Sequence, residues 1–293
     1  MVIKVPTYEI DLTPYLEALS TCPGEHARST QFYHDLAAQL ENQVVLGRSQ
    51  DPDRVLLNFG LLGNVSTPYY SFGHGSVDTF NLIGIDELII FAFYIRNQTR
   101  YRAVADIGAN VGLHTVVMSR CGWEVTSFEP DPLHLQLMSV HLADNSVNQD
   151  RVVAAAVSAT TGVREFVRVL GNTTGSHLKG AKDSAYGLLE EIAVNVIPIG
   201  EVMKTADLIK MDVEGEEANI IVATGVGDWQ NTEMILEVGS DRNALLIFEH
   251  LSSIGVNSFA QKTGWSRVSN LSDVPVNYRE GSLFISLRET MPW

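Results

Sequence analysis

The run Val104-Ala105-Asp106-Ile107-Gly108-Ala109-Asn110-Val111-Gly112 constrains this chain more than any other stretch. It reads as a buried strand entering a glycine-punctuated turn and then a helix, and an acidic residue, Glu129, closes the next apolar run. Such an order opens a parallel α/β sheet whose ligand lies outside the carboxyl ends of the strands. Gly108 and Gly112 let backbone approach a ligand without a Cβ in the way. The helix opening near Gly112 points amides and a partial positive charge at the same place. Glu129 offers two acceptor oxygens, which suits the two hydroxyls of a ribose.

From residue 102 strands and helices alternate. Strands are expected over 102–107, 124–129, 151–157, 206–212 and 233–239, and helices over 112–120, 132–144, 198–204, 215–224 and 243–254. Two apolar alternations, 163–169 and 190–197, read as a hairpin insertion or added edge strands. Residues 265–270 and 282–287 read as a closing antiparallel pair, and 171–187, with four glycines, as a loop. Ahead of these, 1–50 has helical, amphipathic spacing, 51–80 is rich in Gly, Pro, Ser and aromatics, and Asp86 to Asn97 reads as a helix. The expected organisation is a helical and loop extension over 1–80, placed to cover an active site, followed by a ligand-binding domain over 81–293. Its sheet should be mainly parallel and covered by helices on both faces.

Composition narrows the partners. A net charge of −15 repels phosphate backbones, and no basic cluster offsets it, so nucleic acid is not expected. Apolar stretches such as Leu88 to Ile95 are too short to span a bilayer. The N-terminal residues Lys4, Glu9 and Asp11 do not resemble a signal peptide, which predicts a cytoplasmic protein. Two cysteines, Cys22 and Cys121, do not make a disulfide framework; Cys121 reads as a packed thiol.

The turn also discriminates between cofactors. A dinucleotide site wants Gly-x-Gly-x-x-Gly, but Asn110 and Leu113 stand where the second and third glycines belong. S-adenosylmethionine carries no phosphate and needs a smaller polar cradle, with Asp106 as an acid near its ammonium or a bridging water.

Three ordered blocks carry a family resemblance: Asp106-Ile107-Gly108-Ala109-Asn110-Val111-Gly112 with Thr115, then Phe128-Glu129-Pro130-Asp131-Pro132, then Ile209-Lys210-Met211-Asp212-Val213-Glu214-Gly215-Glu216-Glu217. Together they resemble the FkbM family of S-adenosylmethionine-dependent methyltransferases over about residues 80–270. The resemblance implies a class I, Rossmann-like fold with a seven-stranded sheet, and methyl transfer to a hydroxyl oxygen of a sugar or natural product. It implies Asp106, Gly108, Asn110 and Gly112 around the methionine end of the cofactor, Glu129 on the ribose, Pro130 shaping the adjacent turn and Asp131 near the adenine edge. It also implies Ala156 beside the adenine ring and Asp212 next to the methyl group.

Methyl transfer needs an acceptor oxygen held close, aligned and deprotonated at the right moment. Asp212 and Glu214 are the candidates to orient a hydroxyl or act as base, or to bind a divalent cation that lowers its pKa. Their structural alternatives are a helix cap for Asp212 and a pair with Lys210 or a neighbouring amide for Glu214. Glu237, closing an apolar strand, is a third candidate because a carboxylate there is costly to bury without a partner. Of the histidines His74, in Phe72-Gly73-His74-Gly75, is the first choice for a base; His114 and His177 read as surface or packing residues. Two rival functions remain at this level: a nicotinamide-dependent oxidoreductase, which Asn110 and Leu113 disfavour, and a non-catalytic cofactor-binding scaffold.

Overall fold

The computed structural model describes residues 6–70, 78–170, 175–182 and 187–293 of the 293. The chain enters as a strand, β1 (Thr7–Asp11), followed by helices α1 (Thr13–Thr21) and α2 (Gln31–Ser49) and then by strands β2 (Arg54–Asn58) and β3 (Asn64–Pro68). The three strands form a small sheet in the order β1-β2-β3, parallel and then antiparallel. The helical reading of 1–50 holds for α1 and α2, while β1 departs from it and β2 and β3 depart from the loop reading of 51–80. The signal is period two: Tyr8 and Ile10 are buried between exposed neighbours, as are Val55 and Leu57 between half-buried ones.

Helix α3 (Ile85–Arg96) buries Ile85 and every residue from Leu88 to Tyr94. It joins the N-terminal sheet, α1, α2 and helix α4 (Leu113–Arg120) in one continuous apolar core. The N-terminal residues are therefore packed into one face of the main sheet.

That main sheet takes β4 (Ala103–Ile107), β5 (Glu124–Phe128) and β6 (Val152–Val153) on one side. Helix α5 (Pro132–Asp144) links the last two. The chain then leaves the sheet for an insertion, β7 (Ala156–Ser158), β8 (Gly162–Leu170), β9 (His177–Leu178) and β10 (Leu188–Pro198), and returns through α6 (Ile199–Met203). The remaining elements are β11 (Leu208–Met211), α7 (Glu217–Val222), β12 (Glu233–Glu237), α8 (Asp241–Ile254), β13 (Asn257–Ala260), β14 (Ser266–Arg267) and β15 (Ser282–Ser286). The strand order is β14-β13-β15-β12-β11-β4-β5-β6, with β6 to β12 mutually parallel and the other three antiparallel to their neighbours. Seven of these strands make the Rossmann-like sheet that the resemblance implies; β14 is a two-residue addition at the edge.

Side chains along the central strands alternate between two cores. Val104 and Leu208 face α3 and α4, whereas Ala105, Ile107, Ile209 and Met211 face α6, α7 and α8. Helices thus cover both faces.

Two expectations shift. The strand over 151–157 splits, because Ala156–Ser158 leaves β5 and pairs with β10 in the inserted sheet. The closing pair does not form between 265–270 and 282–287: β15 lies between β12 and β13, and Ser266–Arg267 pairs with β13 instead. The hairpin reading of 163–169 with 190–197 holds as β8 against β10.

Gly47 marks where α2 meets the N-terminal sheet. A Cβ there would lie 2.6 Å from both Phe80 Cζ and Tyr8 Cε1. Glycine to alanine within a helix ordinarily stabilises by about 1 kcal/mol. Here overpacking against two rings outweighs that gain, and Gly47→Ala is expected to destabilise the chain by about 1–3 kcal/mol in urea unfolding.

Candidate active site

The turn after β4 is a run of left-handed residues, with φ of +74° at Gly108, +52° at Asn110 and +84° at Gly112. Asparagine is among the few side chains that tolerate this region. Gly108 is required for a second reason: a Cβ there would lie 1.8 Å from the carbonyl oxygen of Asp212. The turn is tied to β5, since the amides of Gly108 and Ala109 donate to the Phe128 carbonyl at 3.0 and 3.1 Å. Gly112 serves packing, because a Cβ there would meet Met138 of α5 at 2.8 Å. It does not line the cleft.

Glu129 follows β5 and is 4% exposed. Its Oε2 accepts from the Asn110 amide and its Oε1 from the Asp131 amide, both at 2.8 Å. His134 Nδ1 lies 3.4 Å from Oε1. Burial opposes charge on His134, but Glu129 and Asp131 outweigh it and raise its pKa above the ordinary value. The carboxylate is thereby fixed in one orientation, and each oxygen keeps acceptor capacity for a further donor.

A cleft of about 630 Å³, open to solvent, lies beside it. Gly108, Asn110, Glu129, Pro130 and His134 line it from the ends of β4 and β5, and Asp212, Val213, Glu214 and Glu216 from the end of β11. Phe128, Ala156, Val157, Phe166 and Leu178 give it an apolar stretch, so the inserted sheet supplies part of the lining. This mixture of an apolar surface with a few fixed polar groups suits a small organic ligand.

Not every expected residue is on that surface. Asp131 is buried and spent: it caps α5 through Leu133 N–H at 2.8 Å and accepts from Arg168 Nε at 2.8 Å, so the structure places it behind the wall. Asp106 is wholly buried beneath the turn, where Oδ2 accepts from Thr115 Oγ1 at 2.7 Å. Its register partner on β11 is Lys210, whose Nζ is 3.9 Å from Asp106 Oδ1 and 3.9 Å from Asp212 Oδ2. Burial would lower the pKa of Lys210; Asp212, Asp106, Glu87 and Glu237 together raise it instead, so the ammonium stays charged.

Asp212 does not cap α7, whose N-cap residue is Glu216 without a side-chain cap. Glu214 pairs with Lys182 and not with Lys210. Burial first, and then Asp212, push the Glu214 carboxyl up to about 7 against the pull of Lys182. Glu237 ends β12 near the same charges; burial, Asp212 and Glu87 raise its pKa well above the carboxylate range. It lies outside the cleft lining. Glu216 is buried and committed to Ser158 Oγ at 2.5 Å and Arg164 Nη1 at 2.6 Å.

His74 lies outside the described residues. His114 is packed between Glu87, 2.6 Å from Nε2, and Tyr94, 3.1 Å from Nδ1. His177 bonds the Gly175 carbonyl. Cys121 is buried, and desolvation pushes its thiol up to about 12, as a packed thiol should be. Among the described residues no group of three His, Cys, Asp or Glu side chains is arranged to hold a metal ion.

Sequence reasoning missed His134, Phe166 and Leu178 as lining residues, and Lys210 and Glu87 as part of the charge cluster. The signal for Lys210 was present: a charged residue inside the apolar run Leu208–Met211 needs a buried partner.

The chain matches the model of the methyltransferase FkbM domain over residues 106–256. No curated protein matches it. Among solved structures it is similar to a SAM-dependent methyltransferase from Agrobacterium tumefaciens, with 10% identity over 82% of this chain and 79% of that one and a TM-score of 0.41. It is also similar to a putative SAM-dependent methyltransferase from Streptococcus mutans, with 11% identity over 85% and 65% of the two chains and a TM-score of 0.40. A third similarity is to an O-methyltransferase from Bacillus cereus in complex with SAH, with 12% identity over 67% and 77% of the two chains and a TM-score of 0.35.

The raised Glu214 carboxyl sets a pH dependence. The folded chain holds this proton more tightly than the unfolded chain, where the value is 4.5. Its contribution to stability is therefore full below pH 4.5 and is lost as pH rises to about 7. Glu214→Gln is expected to flatten the fall in unfolding free energy across that window relative to wild type, measured by urea titration at stepped pH.

Proposed function

The chain belongs to the FkbM family of S-adenosylmethionine-dependent methyltransferases, and from that premise we propose that it methylates a hydroxyl oxygen of a sugar-like or natural-product-like small molecule. The observation that carries the cofactor assignment is the fixed Glu129 carboxylate beside an apolar wall. The two suit a ribose diol and an aromatic base in one cleft. Asp212 and Glu214 also line that cleft, and their acidic character favours a cationic cofactor over a pyrophosphate.

In this reading Glu129 holds the ribose, with Gly108, Asn110 and Pro130 shaping the cradle. Phe128, Ala156, Val157, Phe166 and Leu178 accommodate the base. Asp106 acts from beneath the turn, through Thr115, and Asp131 acts indirectly by fixing the start of α5. S-adenosylmethionine supplies an electrophilic methyl carbon on a sulfonium sulfur. The protein's part is to bring an oxygen into line with it and to take a proton from that oxygen. Asp212, which is partly open to the cleft, is the residue assigned to that proton; Glu214 and Glu237 shape the field around it. Residues 6–70, packed against α3, are assigned the role of supporting this face of the acceptor site.

Calorimetry with S-adenosylhomocysteine tests the cofactor assignment. Wild type is expected to bind, and Glu129→Ala to weaken binding by about 1–3 kcal/mol through the loss of charged hydrogen bonds. An unchanged affinity in the variant would remove Glu129 from the ribose. Release of S-adenosylhomocysteine with hydroxylated acceptors, against amine and carboxylate analogues, tests the choice of oxygen.

A further inference from the structure

Lys210 stands inside an apolar strand and is 8% exposed. Cross-strand register sets it beside Asp106 on β4 and Ile235 on β12, on the sheet face covered by α3, from which Glu87 reaches the same charge cluster. Its Nζ is 3.9 Å from both Asp106 Oδ1 and Asp212 Oδ2. Those distances are ion-pair distances, beyond hydrogen-bond range. Among the described residues the ammonium has no hydrogen-bond partner, and neither has Asp106 Oδ1. An ammonium held only at ion-pair distance keeps its donors free for a ligand atom.

The geometry says which atom would. Two groups 3.9 Å apart admit one oxygen at about 2.8 Å from each. Placed between Lys210 Nζ and Asp212 Oδ2, that oxygen accepts from the first and must carry a hydrogen for the second. A hydroxyl does both. An ammonium has no lone pair for Lys210, and a carboxylate or phosphate meets Asp106, Asp212 and Glu87.

We propose that Lys210 and Asp212 together bind the acceptor as a neutral alcohol, Lys210 donating to the oxygen that becomes methylated and Asp212 taking its proton. This rests on the oxygen-methylation reading above. The balance is complete: an oxygen lone pair forms the O–CH3 bond, the S–CH3 bonding pair stays on sulfur to leave a neutral thioether, and the O–H proton passes to the Asp212 carboxylate. Lys210 gives up no proton. It holds the oxygen in place.

The test uses the full chain with methyl α-D-glucopyranoside and glycerol as neutral hydroxyl probes, and with glucosamine and glucuronic acid as charged ones. Wild type is expected to methylate a neutral probe. Lys210→Met should keep S-adenosylhomocysteine affinity by calorimetry and lose about 100-fold or more in kcat. Lys210→Arg should recover part of that loss, and Asp212→Asn should lower kcat by about as much as Lys210→Met does. Calorimetric titration of the productive probe into the S-adenosylhomocysteine complex should show weaker binding in Lys210→Met. If Lys210→Met does not fold, Lys210→Gln, which keeps donors without the charge, takes its place. Wild-type kcat in a folded Lys210 variant overturns the assignment while leaving oxygen methylation intact. A wild-type chain that binds S-adenosylhomocysteine but methylates only the charged probes, or none of the four, overturns both.

Discussion

The cleft exists because two backbone turns pass each other with no room for a side chain between them. Gly108 leaves β4 directly against the Asp212 carbonyl, and the Asp212 amide returns a hydrogen bond to the Ile107 carbonyl at 3.0 Å. That contact fixes the two strand ends whose loops carry the site. From it the left-handed turn runs to Gly112 and α4, the Asn110 amide reaches Glu129, and Asp212 is set in the lining of the same cleft. Any side chain at Gly108 would separate β4 from β11 at their carboxyl ends, where an open α/β sheet binds its ligand.

Around this frame the charges are arranged in pairs that leave some acceptors and donors open. Arg168 and Arg164 neutralise Asp131 and Glu216 at the rim of the inserted sheet. Lys182 does so for Glu214, and Lys210 sits between Asp106 and Asp212. His114 and Lys210 outweigh burial at Glu87 and hold its carboxyl below the usual range. The acids still outnumber the bases in the cleft wall, so a cationic cofactor and a neutral acceptor fit the field better than a dinucleotide does.

The sequence made the local parts of this plan readable. The β4 turn, the acid after β5 and the block Lys210–Glu217 could be recognised because each is set by residues within a few positions of one another. The eighth strand, the pairing of β13 with β15 and the pairing of Thr7–Asp11 with β2 were not readable, because strand partners come from distant parts of the chain. The same reason hid the pairing of Glu214 with Lys182 and of Asp131 with Arg168. Asp131 illustrates the difference: an acid two residues after Glu129 looks like a ligand contact until the inserted strand β8 brings an arginine to it. Lys210 illustrates the converse, a charge in an apolar run whose meaning depends on the register that places Asp106 beside it.

The most direct measurement is a crystal structure of the chain with S-adenosylhomocysteine. The expected result is both ribose hydroxyls on the Glu129 carboxylate, adenine against Phe128, Ala156 and Phe166, and the sulfur facing Asp212. A ribose held elsewhere, or a ligand outside the cleft between β4 and β11, would contradict the account.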